Sequence, residues 1–121
     1  MTRRDLIRLL ACTPIALQAQ TPRWPPVAVL GNARGLPLVT ANGGNTQMTA
    51  ATAAPLLTDR RVVLLDLDAP PPMAPEEHTA DRVCADILAA LTAAGIDRFV
   101  WYGYSFGAVV GLQVATRSPR V

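Results

Sequence analysis

The sequence predicts an α/β fold, a mostly parallel sheet with helices on both faces. Three observations lead there. Short apolar runs at residues 27–30, 36–40, 61–66 and 99–102 lie between clusters of Gly, Pro, Asn and Asp, the usual punctuation of strands. Stretches with helical spacing alternate with these runs, a rhythm that calls for β-α-β crossovers. The pentapeptide Gly103-Tyr104-Ser105-Phe106-Gly107 stands where the last apolar run meets a helical pattern over residues 108–116.

Each element has its own signal. Residues 21–26 (Thr-Pro-Arg-Trp-Pro-Pro) read as an extended linker, because three prolines forbid a regular element. Residues 27–30 form a short strand, followed by turn material from Gly31 to Gly35. The run 36–40 reads as a strand buried in a parallel sheet and entered through Pro37, and Asn42-Gly43-Gly44-Asn45 breaks it. Residues 46–57 suggest a small-residue helix interrupted near Pro55, with Met48 and Leu56 facing inward. Residues 61–66 and 99–102 are the clearest strands, and the second, wholly apolar, reads as buried on both faces. Between them the segment from Pro70 to Glu77 is a rigid loop. Thr79 then caps a helix whose apolar face is Val83, Ile87, Leu88 and Leu91, and Gly95 ends it in the left-handed conformation.

The chain has 121 residues, half of them hydrophobic and 17% charged, enough for one globular domain. Its formal charge of +2 comes from eleven arginines, scattered and without aromatic interleaving, which argues against a nucleic-acid partner. No apolar run approaches the ~18 residues of a membrane-spanning helix. Residues 1–20 carry paired Arg3-Arg4 ahead of a modest apolar stretch, similar to a bacterial twin-arginine export signal ending near Leu17-Gln18-Ala19. On that reading the protein is exported; if the segment is instead an amphipathic helix, it is cytoplasmic. Cleavage would remove Cys12 and leave Cys84 without a disulfide partner, on a helical apolar face where core packing outweighs nucleophilic chemistry.

A G-x-S-x-G turn between strand and helix resembles the nucleophile elbow, in which a strained serine is held at the carboxyl end of a sheet. Two further features precede it in order: the strand ending in Thr40-Ala41-Asn42-Gly43-Gly44, and the strand ending in Leu64-Leu65-Asp66-Leu67-Asp68. With these, residues 27–121 resemble the amino-terminal half of an α/β-hydrolase of the serine-nucleophile branch. The resemblance implies that Ser105 attacks an ester or similar acyl bond of a small-molecule substrate, activated by a histidine that a carboxylate orients. It also implies an oxyanion hole from the backbone N–H groups of Phe106 and Gly44, with Gly103 and Gly107 giving the elbow room. Relatives usually have His-Gly where this chain has Asn42-Gly43, and Asn42 can make similar turn hydrogen bonds. Ser105 argues against the branches that use an aspartate nucleophile, such as epoxide hydrolases.

Other constellations carry less. Asp66, Asp68, Glu76, Glu77 and His78 match no metal-ligand spacing and read as a solvated rim; no metal and no cofactor is expected. Residues 27–35 hint at a dinucleotide-binding turn but lack its middle glycine, and Pro37 lies where the phosphate-binding helix should run. His78 is the one histidine, whereas in relatives the base follows the last strand, well after the serine. The family's later strands, acid and histidine are therefore expected to be missing from this chain, leaving it essentially inactive. Two expectations stay open: part of an exported acyl hydrolase, or a non-catalytic binding or assembly partner keeping the first half of the fold. In either case residues 99–102 would offer an open sheet edge, predisposing the chain to self-association.

Overall fold

The computed structural model describes residues 23–42, 51, 54–57, 59–68, 70 and 72–121. The expected export signal, Gly43 and Gly44, and most of the helix expected over 46–57 lie outside the described residues. Among the described residues four strands form one sheet: β1 (Val27–Leu30), β2 (Leu38–Asn42), β3 (Val62–Asp66) and β4 (Val100–Gly103). Among the described residues two helices of more than one turn follow the later strands, α1 (Ala80–Ala93) and α2 (Phe106–Arg117). Short 3-10 turns at Ala54–Leu56 and Pro75–Glu77 punctuate the connections.

The strand order is β1-β3-β2-β4. β2 runs parallel to β3, with Asn42 opposite Asp66, and parallel to β4, with Ala41 opposite Gly103. β1 is antiparallel to β3 and pairs Val27 with Leu65. β3 has a neighbour on each side and four consecutive buried residues, Val62 to Leu65, which is why its sequence is apolar without alternation. The expectation that residues 99–102 are buried on both faces is corrected. Phe99 is buried, but Val100 and Tyr102 are 37% and 45% exposed, because β4 is an edge strand covered on one face only among the described residues.

The main core lies on the face carrying Val39, Ala41, Val63 and Leu65, against Ile87 and Leu91 of α1 and Val110 and Val114 of α2. Both described helices thus pack on one face; the other, with Val62 and Leu64, meets Leu30 and Leu57. Ile87 and Leu91 have no exposed surface, and burying such side chains stabilises by about 1.5–3 kcal/mol each. Thr79 Oγ1 accepts a hydrogen bond from the Arg82 N–H at 3.1 Å and so caps α1. At the other end Gly95 (φ +76°) donates to the Thr92 carbonyl, and Ile96 to the Leu91 carbonyl, closing the helix in a Schellman arrangement. Arg120 then ties this end of α1 to β4. Its guanidinium donates to the carbonyls of Ile96, Asp97 and Leu88 and stands 5.8 Å over the Phe99 ring. The Phe99 N–H donates back to the Arg120 carbonyl at 3.0 Å.

Candidate active site

Three parallel strands place their carboxyl ends at one sheet edge: Asn42 of β2, Asp66 of β3 and Gly103 of β4. From β2 the chain steps to β3 on one side, then crosses back over β2 to β4 on the other. The order therefore reverses between β2 and β4. Such a reversal opens a crevice outside the strand ends, the preferred ligand position in open α/β sheets. Ser105 follows the end of β4, on one bank of this crevice.

The passage from β4 to α2 takes two residues, Tyr104 and Ser105. Ser105 has φ 53° and ψ −117°, and it is the one non-glycine residue with positive φ among the described residues. Side-chain sterics disfavour this backbone by roughly 1–3 kcal/mol, so the surroundings must impose it. They do so at Gly103. A Cβ there would stand 2.5 Å from Ala108 N and from the Gly107 carbonyl, so only a bare Cα lets the strand pass this close beneath the helix.

Ser105 occupies the N-cap position of α2, yet its side chain makes no capping hydrogen bond. The Gly107 N–H instead donates to the Tyr104 carbonyl, and the Ala108 and Val109 N–H groups to the Ser105 carbonyl. Among the described residues the Ser105 hydroxyl and the Phe106 N–H have no hydrogen-bond partner. An exposed hydroxyl thus stands next to a free N–H at the positive end of a helix dipole, an arrangement that favours negative charge beside the serine. Tyr104 and Phe106, 67% and 56% exposed, flank it with aromatic surface. The Phe106 side chain also lines a shallow apolar cleft with Val83 and Cys84 of α1 and Val109 and Val110 of α2.

Of the residues singled out in the sequence, Gly103, Ser105, Phe106 and Gly107 come together in this turn, and Gly44 lies outside the described residues. Asp66 sits at the same edge, where its Oδ1 accepts the Asp68 N–H at 2.9 Å in a local turn. His78 is exposed at the end of the Pro75–Glu77 turn, where its N–H donates to the Pro75 carbonyl, and makes no hydrogen bond with Ser105. Among the described residues no group of three His, Cys, Asp or Glu is arranged to hold a metal ion. Cys84 is 2% exposed, and burial pushes its thiol above the ordinary 9.0, with Arg117 pulling weakly the other way. It is core.

Sequence reasoning missed the support behind the turn. The Trp101 indole N–H donates to the Gly107 carbonyl at 3.0 Å, holding the first turn of α2 down on the sheet. The ring occupies the space that a Cβ on Gly111 would need, at 2.2 Å. The signal was present as two glycines four apart on α2, Gly107 and Gly111, facing a tryptophan two residues before Gly103.

No family profile matches the chain. A protein of Enterobacter cloacae named "Putative carbamate hydrolase RutD" is 41% identical over 49 residues, 40% of this chain and 18% of the relative. Its counterpart in Escherichia coli O1:K1 is 31% identical over 85 residues, 68% of this chain and 32% of the relative. Among solved structures, a proline iminopeptidase-related protein of Thermus thermophilus superposes with a TM-score of 0.65 at 28% identity, over 83% of this chain and 39% of that one. An epoxide hydrolase of Bacillus megaterium gives 0.64 at 19% identity, over 78% and 35%, a likeness of fold alone. The matched stretches span between about a fifth and two fifths of these proteins' lengths. With the sheet order and the crevice described above, these likenesses place the chain in the α/β-hydrolase fold superfamily, of which it carries an amino-terminal part.

Proposed function

We propose that this chain contributes the nucleophile and both oxyanion-hole donors of a serine hydrolase acting on ester or similar acyl bonds. Ser105 is the nucleophile. Its Oγ adds to the substrate carbonyl, and the charge that develops on the carbonyl oxygen falls to the Phe106 N–H, with Gly44 as second donor. The observation that carries this reading is the Ser105 backbone, φ 53° and ψ −117°, with the hydroxyl and the next N–H both unengaged. A carbamate, the substrate class in the RutD name, is an acyl bond of this kind.

The serine proton must pass to a base, and the one histidine, His78, makes no hydrogen bond with Ser105. Losing the base costs about 10⁶ in turnover in a well-studied serine protease, or ~8 kcal/mol of transition-state stabilisation. Turnover of a small aryl acetate by the chain alone should therefore stay at the buffer rate, and clear Ser105-dependent turnover would overturn that part. The nucleophile itself is tested by peptide mapping after prolonged exposure to the aryl acetate. Acetyl should accumulate on Ser105 ahead of every other hydroxyl of the chain; labelling spread evenly over the serines and threonines would contradict the assignment.

A further inference from the structure

We infer that the amino-end edge of the sheet, opposite the crevice, is a basic surface that docks the chain on an anionic lipid bilayer. Four arginines far apart in sequence meet there. Arg34 stands in the β1–β2 loop between Gly31 and Gly35, and both glycines lie close against the segment from Leu57 to Arg60. Arg60 and Arg61 directly precede β3, where the Leu38 N–H donates to the Arg61 carbonyl at 2.9 Å. Arg98 ends the α1–β4 connection, at the level where the Val100 N–H donates to the Pro37 carbonyl at 3.0 Å. Each of these loops begins and ends at a described element, so the register of the sheet itself gathers them. Arg34 and Arg98 are exposed, and Arg60 and Arg61 half-buried.

The charge of these four is uncommitted. Arg82, Arg117 and Arg120 pair with Asp86, Asp81 and Asp97, whereas none of the four has an ion-pair partner among the described residues. Arg60 donates to the neutral Leu36 carbonyl at 3.2 Å, and the buried Nε of Arg61 meets no acceptor. Asp59 is the one acid of these loops besides the paired Asp97. The connection leaving the opposite edge reverses the sign, with Asp66, Asp68, Glu76 and Glu77 against Arg23. The basic pole therefore lies away from Ser105, and docking by that pole leaves the crevice facing solvent. The form of the patch selects the partner. From β3 to β4 it spans two strand spacings, roughly 10 Å, so its arginines do not converge on one point as a single phosphate would need. Phe99, the one aromatic residue of these loops, is buried, so no ring is offered to a nucleobase. A plane of anionic headgroups matches such a spread, and four arginines near it favour anionic over neutral lipid by roughly several hundredfold at low salt.

Co-sedimentation with vesicles of phosphatidylcholine, pure or with about one third phosphatidylglycerol, tests this. The chain should bind the anionic vesicles and not the neutral ones, and high salt should release it. Arg3, Arg4 and Arg8 of the amino-terminal segment also favour anionic lipid, so variants at the edge carry the discrimination. Arg34→Gln and Arg98→Gln should each weaken binding about fivefold, and together about 25-fold, with far-UV circular dichroism unchanged. Arg82→Gln removes the same charge from α1 and should leave binding as it is. Orientation is read with a headgroup nitroxide lipid, in a Cys12→Ser background that keeps the buried Cys84. The lipid should quench a fluorophore on Asn32→Cys and spare one on Tyr104→Cys. No binding to the anionic vesicles, full binding without Arg34 and Arg98, or equal weakening by Arg82→Gln would overturn the proposal. So would quenching at Tyr104→Cys, or tighter binding of duplex DNA or polyglutamate than of the vesicles.

Discussion

Two hydroxyl residues stand at the N-cap of two helices in this molecule, and they are used in opposite ways. Thr79 has extended backbone (φ −105°, ψ 156°), and its Oγ1 accepts the Arg82 N–H, so the hydroxyl belongs to the helix it starts. Ser105 has φ 53° and ψ −117°, and its side chain caps nothing. The approach to each explains the contrast. Thirteen residues separate β3 from α1, enough slack for the chain to enter the helix in a relaxed conformation. Two separate β4 from α2, which therefore starts almost on top of its strand. At the first junction the local backbone optimum is reached; at the second it is given up, and a hydroxyl is left free at a helix N-terminus. The difference teaches where chemistry can reside: the strained junction is the one with an uncommitted hydroxyl.

The comparison is broken most severely at Gly103. A methyl group there meets backbone atoms at 2.5 Å, which cannot swing aside as a side chain would. Gly103→Ala should cost about 3 kcal/mol or more in urea unfolding, at or above the upper end for overpacking. Gly111→Ala comes next. Its new methyl meets the Trp101 ring, which can shift, so the loss should be about 1–3 kcal/mol. Combining it with Trp101→Phe, which shortens the ring, should recover part of that loss in a double-mutant cycle; strict additivity would mean that the two do not meet. The relaxed junction is cheaper to damage. Thr79→Ala should cost about 1 kcal/mol, the usual value of a helix cap.

Most of the described architecture was legible because its signals are local. Thr79 and Gly95 bracket α1, and β1 and β3 fall where their apolar runs stand. α2 begins two residues before the expected start, directly behind Ser105, because the turn is tighter than the helical pattern alone suggested. What depends on distant pairing was not legible. Nothing in residues 27–30 says that β1 runs antiparallel or that β3 inserts between it and β2. Likewise, Val100 and Tyr102 look like core residues in sequence, since an apolar run reads the same whether or not something covers it. At the candidate site the pentapeptide marked the turn, but the Trp101 prop behind it emerged only from the packing of strand against helix.

The central claim, that the turn holds Ser105 under strain and withholds its hydroxyl from the helix, is tested most directly by urea unfolding of Ser105→Gly. Glycine adopts this backbone freely, so the variant should be more stable than the parent by about 1 kcal/mol, with Ser105→Ala close to the parent. If Ser105→Gly and Ser105→Ala both lose stability as Thr79→Ala does, Ser105 is an ordinary cap and the account is wrong.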